Sequence, residues 1–245
     1  MNLGDLEGLR LGGNEALFLD FDGTLAEIIP DPDAVKIPPS TAAALESLAA
    51  FLGGAVALIS GRDIRDLAAR TPDTVWRAGG HGLDVVAPNA PLPPPRPAPP
   101  DAVLEALRKA EAVPGVGLEL KGPMAALHYR LAPQAAAACL AAAEAAAAVP
   151  GYVVQAGKMV VEVKPAEAHK GRALHRLSGQ APFGGRRPLM LGDDVTDEDA
   201  FAAAEALGGI SVKVGEGPSR ARLRAPGPSA VRAWLDREAA ASSSR

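Results

Sequence analysis

An apolar run that ends on acids constrains this chain more than any other feature. Ala16-Leu17-Phe18-Leu19 does not alternate with polar residues, so it suits a parallel strand covered on both faces. The run stops at Asp20-Phe21-Asp22-Gly23-Thr24-Leu25. In open α/β sheets, ligands collect beyond the carboxyl ends of such strands. Gly23 permits a turn closed to other residues, and two neighbouring carboxylates can hold a divalent cation or divide into a nucleophile and a general acid/base. An Asp-rich turn with neither role reads the same way in isolation, so the other strand ends decide between these readings.

Two further apolar runs agree. Gly54-Ala55-Val56-Ala57-Leu58-Ile59 ends at Ser60-Gly61-Arg62, ahead of a helix-like stretch from Asp63 to Arg70, and offers a hydroxyl, flexible backbone and a cation. Pro188-Leu189-Met190-Leu191 ends at Gly192-Asp193-Asp194-Val195-Thr196-Asp197-Glu198-Asp199. Here Thr196 reads as a helix N-cap, with the acids that follow it meeting the helix dipole favourably. That accounts for Asp197, Glu198 and Asp199 but not for Asp193 and Asp194, which precede the cap. Ala168-His169-Lys170-Gly171 opens another helix with a cation at its start, against the dipole preference. An anionic ligand explains a lysine there better than helix stability does.

In this order, DFDGTL, SGR, HKG and GDDVTDE resemble the motifs of the haloacid-dehalogenase-like phosphohydrolases and, within them, of the trehalose-phosphatase family. The four motifs span about the whole chain. GDD followed by TDE is the trehalose-phosphatase form, where related sugar phosphatases read GDSxND or GGND. Gly79-Gly80-His81-Gly82, Glu119-Leu120-Lys121, His128-Tyr129-Arg130 and Val161-Glu162-Val163-Lys164-Pro165 resemble further residues of that family's cap. The resemblance implies an α/β fold: a Rossmann-like parallel-sheet core with an inserted α+β cap domain. It also implies Mg²⁺-dependent hydrolysis of trehalose 6-phosphate to trehalose and phosphate, within trehalose biosynthesis, through an aspartyl-phosphate. Asp20 is then the nucleophile and Asp22 the acid/base. Mg²⁺ is held by Asp20, the backbone carbonyl of Asp22 and Asp193, with Asp194 or Asp197 behind them. Ser60, Gly61, Arg62 and Lys170 bind the phosphoryl group.

Substrate choice is expected in the cap. The resemblance assigns Glu119, Lys121 and Glu162 to the sugar; from spacing alone, Glu119 and Lys121 equally suit a solvated ion pair on one strand face, worth roughly 0.2–1 kcal/mol. His128 and Arg130 also share a face and fit either the sugar site or a surface pair. His81 lies among glycines suited to a hinge or a close approach to ligand. His169 and His175 lack zinc-ligand spacing, and Trp76 and Trp234 read as packing residues.

The rest of the chain sets borders and exclusions. Residues 88–100 are proline-rich and read as an extended surface segment. Next come a helix, a hairpin turning at Gly122-Pro123, an Ala-rich helix, and a second hairpin around Ala156-Gly157-Lys158. This gives a core at residues 1–81 and 165–245 and an inserted unit at 82–164, with Ala239 to Arg245 as a tail. A formal net charge of −4 argues against nonspecific nucleic-acid binding, and no stretch reads as a signal peptide or membrane span. The single Cys139, in the Ala-rich helix, leaves no disulfide framework and fits a cytoplasmic protein. The partner is a small sugar phosphate, with a trehalose-6-phosphate synthase on a separate chain as a possible functional partner. Another sugar-phosphate phosphatase of the same fold, of the sucrose- or mannosylglycerate-phosphate type, is the alternative, followed by a non-catalytic sugar-phosphate-binding regulator.

Overall fold

The computed structural model describes residues 4–157 and 159–242, so Lys158 of the second hairpin turn and the last three residues of the chain lie outside the described residues. In chain order the elements are β1 (Gly4–Asp5), β2 (Glu15–Leu19), α1 (Pro39–Phe51), β3 (Val56–Ile59), α2 (Ile64–Ala68), β4 (Trp76–Gly79), β5 (Asp84–Val86), α3 (Asp101–Glu111), β6 (Gly117–Lys121) and β7 (Met124–His128). They continue with α4 (Ala136–Ala147), β8 (Tyr152–Gly157), β9 (Val160–Pro165), α5 (Lys170–Ser178), β10 (Arg187–Gly192), α6 (Val195–Ala206), β11 (Ile210–Val214), β12 (Leu223–Ala225) and α7 (Pro228–Ser242). Two compact units result, one of Met1–Leu92 with His169–Arg245 and one of Pro93–Ala168.

The first unit is built on an eight-stranded sheet in the order β1-β12-β11-β10-β2-β3-β4-β5. Its pairs are parallel except β4 with β5. The unbroken apolar runs form its centre: Leu17, Phe18, Leu19, Val56, Leu58, Ile59, Met190 and Leu191 are wholly buried, as strands covered on both faces must be. From β2 the chain proceeds to β3 and β4 on one side, and β10 and β11 later fill the other. The strand order therefore reverses at β2, which opens a crevice beyond its carboxyl end. Phe183 stacks on Phe18 at 5.2 Å and meets Trp76 edge-on at 5.6 Å. Trp234 is buried, and its Nε1–H donates to the Leu9 carbonyl. Both tryptophans pack, as their positions in the sequence suggest.

Three boundaries differ from the sequence expectation. The first unit runs on to Leu92 rather than ending at His81, because Asp84–Val86 adds to the sheet edge as an antiparallel strand against Arg77–Gly79. It resumes at His169 rather than at Pro165, because β9 runs through Pro165 in the second unit's sheet. Residues 239–242 are not tail but the last turn of α7, with Leu235 and Ala239 buried on its inner face.

The second unit has a four-stranded antiparallel sheet in the order β6-β7-β9-β8. Leu127, Val161 and Val163 share a core with Val103 and Leu107 of α3 and Cys139, Ala143 and Ala146 of α4. Alternation sends these strand residues to one face and Glu119, Lys121, His128 and Glu162 to the other. Among the described residues, no helix is long and apolar enough to cross a membrane.

The stacked ring makes Phe18 a sensitive test of the core. Phe18→Ala is expected to destabilise the chain by about 3–5 kcal/mol, read from its denaturant midpoint, since the rigid sheet cannot close over the lost ring.

Candidate active site

Three of the first unit's site candidates sit one step beyond a strand. Asp20 follows β2, Ser60 follows β3 and Asp193 follows β10. The sheet's register continues into these positions: Asp20 N–H donates to the Leu191 carbonyl at 2.9 Å, and Ser60 N–H to the Ala78 carbonyl at 2.9 Å. After Asp20 the chain turns sharply, with Gly23 at φ +75° and its N–H on the Ala26 carbonyl. A Cβ on Gly23 would lie 2.2 Å from the Asp193 carboxylate, so glycine is what lets the two loops meet.

Lys170, at the start of α5, is 3% exposed and donates from Nζ to Asp20 Oδ1 at 2.7 Å and Asp197 Oδ1 at 2.9 Å. Asp197 is wholly buried, and its Oδ2 accepts the N–H groups of Asp193 and Asp194. The N-cap of α6 is Asp194 rather than Thr196. Its carboxylate accepts from Thr196 N–H and Oγ1–H and from Asp197 N–H, while Asp197 reaches back in a reciprocal capping box. Asp194 and Asp197 thus order the loop that carries Asp193.

One carboxylate oxygen from each of Asp20, Asp193 and Asp197 lies within 4.8 Å of the other two. Burial, assisted by neighbouring like charges, pushes Asp20 up to about 7, Asp193 to about 6 and Asp197 to about 8. Burial opposes charge on Lys170, but Asp197, Asp20 and Asp194 outweigh it and hold the amine well above its usual range. One cation cannot neutralise three crowded acids. An all-oxygen donor set with surplus negative charge fits a hard divalent metal, so the cluster is suited to hold one. The Asp22 side chain does not join it.

Arg62 turns elsewhere than the sequence implies. Its guanidinium grips Asp22 through two bonds of 2.7 Å and Asp66 through a third of 2.7 Å. Ser60 is buried, and its Oγ accepts from Arg62 N–H. His81 joins this cluster at φ 55°: its backbone N–H donates to the Ser60 carbonyl, and its ring lies so close to Gly61 that a Cβ there would come within 2.8 Å.

In the second unit, Glu119 accepts from His128 Nε2 at 2.8 Å and pairs with Lys121 at 3.2 Å. Burial acts against its charge, yet these two partners hold the Glu119 carboxyl below its ordinary value. Glu119, Ala126 and Glu162 are successive cross-strand partners, so both acids lie in one row of that face. Arg130 is exposed in the turn after β7, outside the strand.

The sequence reading misses two residues of the first unit. Lys213, 6% exposed, donates from Nζ to the Asp193 carbonyl; its signal is a lysine near the end of a largely apolar strand beside β10. Asp66 carries no signal beyond its place four residues after Arg62 on α2.

Two measurements test this geometry. Gly23→Ala is expected to abolish divalent-cation binding by isothermal titration, since the methyl collides with Asp193. The three raised acids ionise near 3.8 when unfolded but only at about 6 to 8 when folded. Between those values the folded state binds more protons, so the cluster's contribution to stability falls as pH rises. A bound divalent cation takes the place of those protons. The rise in Tm produced by saturating Mg²⁺ is therefore expected to be larger at pH 8 than at pH 5.

Known proteins resemble this chain in sequence and in fold. A trehalose-6-phosphate phosphatase of Escherichia coli is 41% identical over 232 residues, covering 93% of this chain and 87% of its own length. A crystal structure of the Aspergillus fumigatus trehalose-6-phosphate phosphatase superposes with a TM-score of 0.68 at 28% identity, covering 93% of each chain. A haloacid-dehalogenase-like hydrolase from B. subtilis, at 15% identity, shares the fold with a TM-score of 0.67 over 90% of this chain and 98% of that one. The trehalose-phosphatase family model matches residues 18–229, from β2 to α7, and the chain belongs to that family.

Proposed function

We infer that the chain hydrolyses trehalose 6-phosphate to trehalose and inorganic phosphate. The observation that carries the chemistry is the buried Lys170 bonded to both Asp20 and Asp197, with Asp193 beside them at the strand ends. Family membership carries the substrate.

Asp20 attacks phosphorus as the ester P–O bond breaks, and Asp22 gives its proton to the departing sugar oxygen. Asp22 then takes a proton from water; the water oxygen bonds to phosphorus, the bond from Asp20 to phosphorus breaks, and phosphate leaves. Lys170 favours the anionic form of Asp20 and meets the phosphoryl oxygens together with the Ser60 hydroxyl. Asp20, Asp193 and the backbone carbonyl of Asp22 would hold Mg²⁺, which would supply charge neutralisation at the phosphoryl group. Because Asp197 already accepts three protein N–H donors, it orients rather than ligates.

The second unit acts as a cap and its polar sheet face reads the sugar. Trehalose presents only hydroxyls, and a site built to hydrogen-bond them rejects analogues by leaving its own buried groups unpaired. Glu119, Lys121 and Glu162 supply acceptors and a donor, with His128 positioning Glu119. His81 lies nearer the phosphoryl group than the sugar, given its contacts with Ser60 and Gly61.

A panel of phosphorylated sugars with Mg²⁺ tests the assignment: trehalose 6-phosphate is expected to give the highest kcat/KM, and a clear preference for sucrose or mannosylglycerate phosphates overturns it. Asp20→Asn is expected to abolish phosphate release while the fold survives; a folded, active variant rules out this nucleophile. Glu119→Gln and Glu162→Gln are expected to raise KM for trehalose 6-phosphate while leaving hydrolysis of p-nitrophenyl phosphate, which has no sugar, within a few-fold of the parent.

A further inference from the structure

The guanidinium of Arg62 has five N–H donors, and every one is committed. Nε donates to Asp22 Oδ2 and Nη2 to Asp22 Oδ1, each at 2.7 Å. Nη1 donates to Asp66 Oδ2 at 2.7 Å, and the remaining donors of Nη1 and Nη2 reach the Pro32 carbonyl at 3.1 Å. The group also lies over the Phe21 ring, 5.4 Å from its centroid. Asp66 is itself clamped by Arg70 through bonds of 2.9 and 2.6 Å, and Arg70 is tied to the Asp33 and Val35 carbonyls at 2.8 Å. The Arg62 side chain is 11% exposed and that of Asp22 is 36% exposed.

This is a fixed cation presenting a two-pronged edge to a more exposed acid. No donor remains for a phosphoryl oxygen unless a carboxylate or the Pro32 carbonyl is given up, so the arrangement suits a carboxylate clamp better than a phosphate ligand. The fork geometry that matches a carboxylate on both oxygens belongs to arginine and not to lysine. Gly23, immediately after Asp22, gives the acid a backbone able to turn.

We propose that Arg62 is a positioning residue for Asp22: with Asp66 as its anchor, it sets where the acid/base carboxylate sits and how its plane is oriented. This rests on the acid/base reading of Asp22. A consequence follows from leaving-group chemistry. A sugar alkoxide is a poor leaving group and needs the proton from Asp22, whereas p-nitrophenolate leaves without it. Misplacing Asp22 therefore slows the first half-reaction selectively for the sugar phosphate, while its base step in the second half-reaction, common to both esters, slows equally for each; losing a phosphate ligand slows the first half-reaction of both esters and raises KM for both.

The experiment compares trehalose 6-phosphate with p-nitrophenyl phosphate in the full chain with Mg²⁺, reading the single-turnover rate of leaving-group release, which isolates the first half-reaction, together with KM, for Arg62→Ala, Arg62→Lys, Asp66→Asn, Asp22→Asn and the Asp22→Asn/Arg62→Ala double variant. Arg62→Ala is expected to lose roughly 10²-fold in the rate of sugar release, in the range of general acid catalysis, with KM within a few-fold and only a few-fold loss in the rate of p-nitrophenolate release. Arg62→Lys is expected to restore little of it. Asp66→Asn, which leaves the Asp22 pair intact, is expected to give the same selectivity in smaller measure, and it keeps the test available if Arg62→Ala fails to fold. In the Asp22→Asn background, Arg62→Ala is expected to add almost nothing. Equal losses on both esters with raised KM for the Arg62 and Asp66 variants, while Asp22→Asn discriminates between the esters, overturn this inference alone. Equal losses for Asp22→Asn itself overturn the acid/base reading and this inference with it.

Discussion

The buried bond pair from Lys170 to Asp20 and Asp197 is the interaction on which the rest of the site depends. A lysine 3% exposed at a helix start is unfavourable twice over, through desolvation and through the helix dipole. It persists because two buried carboxylates face it, and those carboxylates persist because it is there. Removing either partner leaves an uncompensated buried charge, which is far more costly than the net worth of the pair. The first unit must therefore bring together the end of β2, the start of α5 and the first turn of α6, elements 150 and 27 residues apart along the chain.

Close backbone approach makes that convergence possible. Gly23 admits the Asp193 carboxylate, Gly192 admits the Asp197 carboxyl where a Cβ would lie 2.3 Å away, and Gly171 lets α5 lie against α6, with the Asp199 carbonyl 2.5 Å from where a Cβ would stand. The reversal of strand order at β2 supplies the crevice, and the loops that close its floor are tied by the N–H groups of Asp193 and Asp194 to a single buried acid. The cluster is then left with more negative charge than Lys170 can answer, and that excess is the physical ground for a metal.

Much of this was legible in the sequence because it depends on local patterns. Unbroken apolar runs announced strands buried on both faces, and acids, a serine and a lysine at their ends announced the chemistry. The alternation of Glu119 with Lys121 placed them on one sheet face. What was not legible depends on distant partners. Arg62 reads as a phosphate ligand beside Ser60 until Asp22, Asp66 and the Pro32 carbonyl are seen to occupy its donors. Thr196 reads as the cap by residue type, yet Asp194 takes that place because it serves the loop and the helix at once. The short antiparallel β5 has no signal of its own; pairing with β4 gives it to the first unit, whereas the sequence places residues 84–86 in the insertion.

The account's central claim is that Asp20, held by Lys170, accepts the phosphoryl group. Rapid quenching of the Mg²⁺-loaded chain during turnover of trehalose 6-phosphate, followed by borohydride reduction and peptide mass analysis, tests it directly, since an aspartyl-phosphate is reduced to homoserine. The account predicts homoserine at position 20 and nowhere else. Reduction at another acid, or phosphate release at full rate with no reducible adduct at position 20, contradicts it.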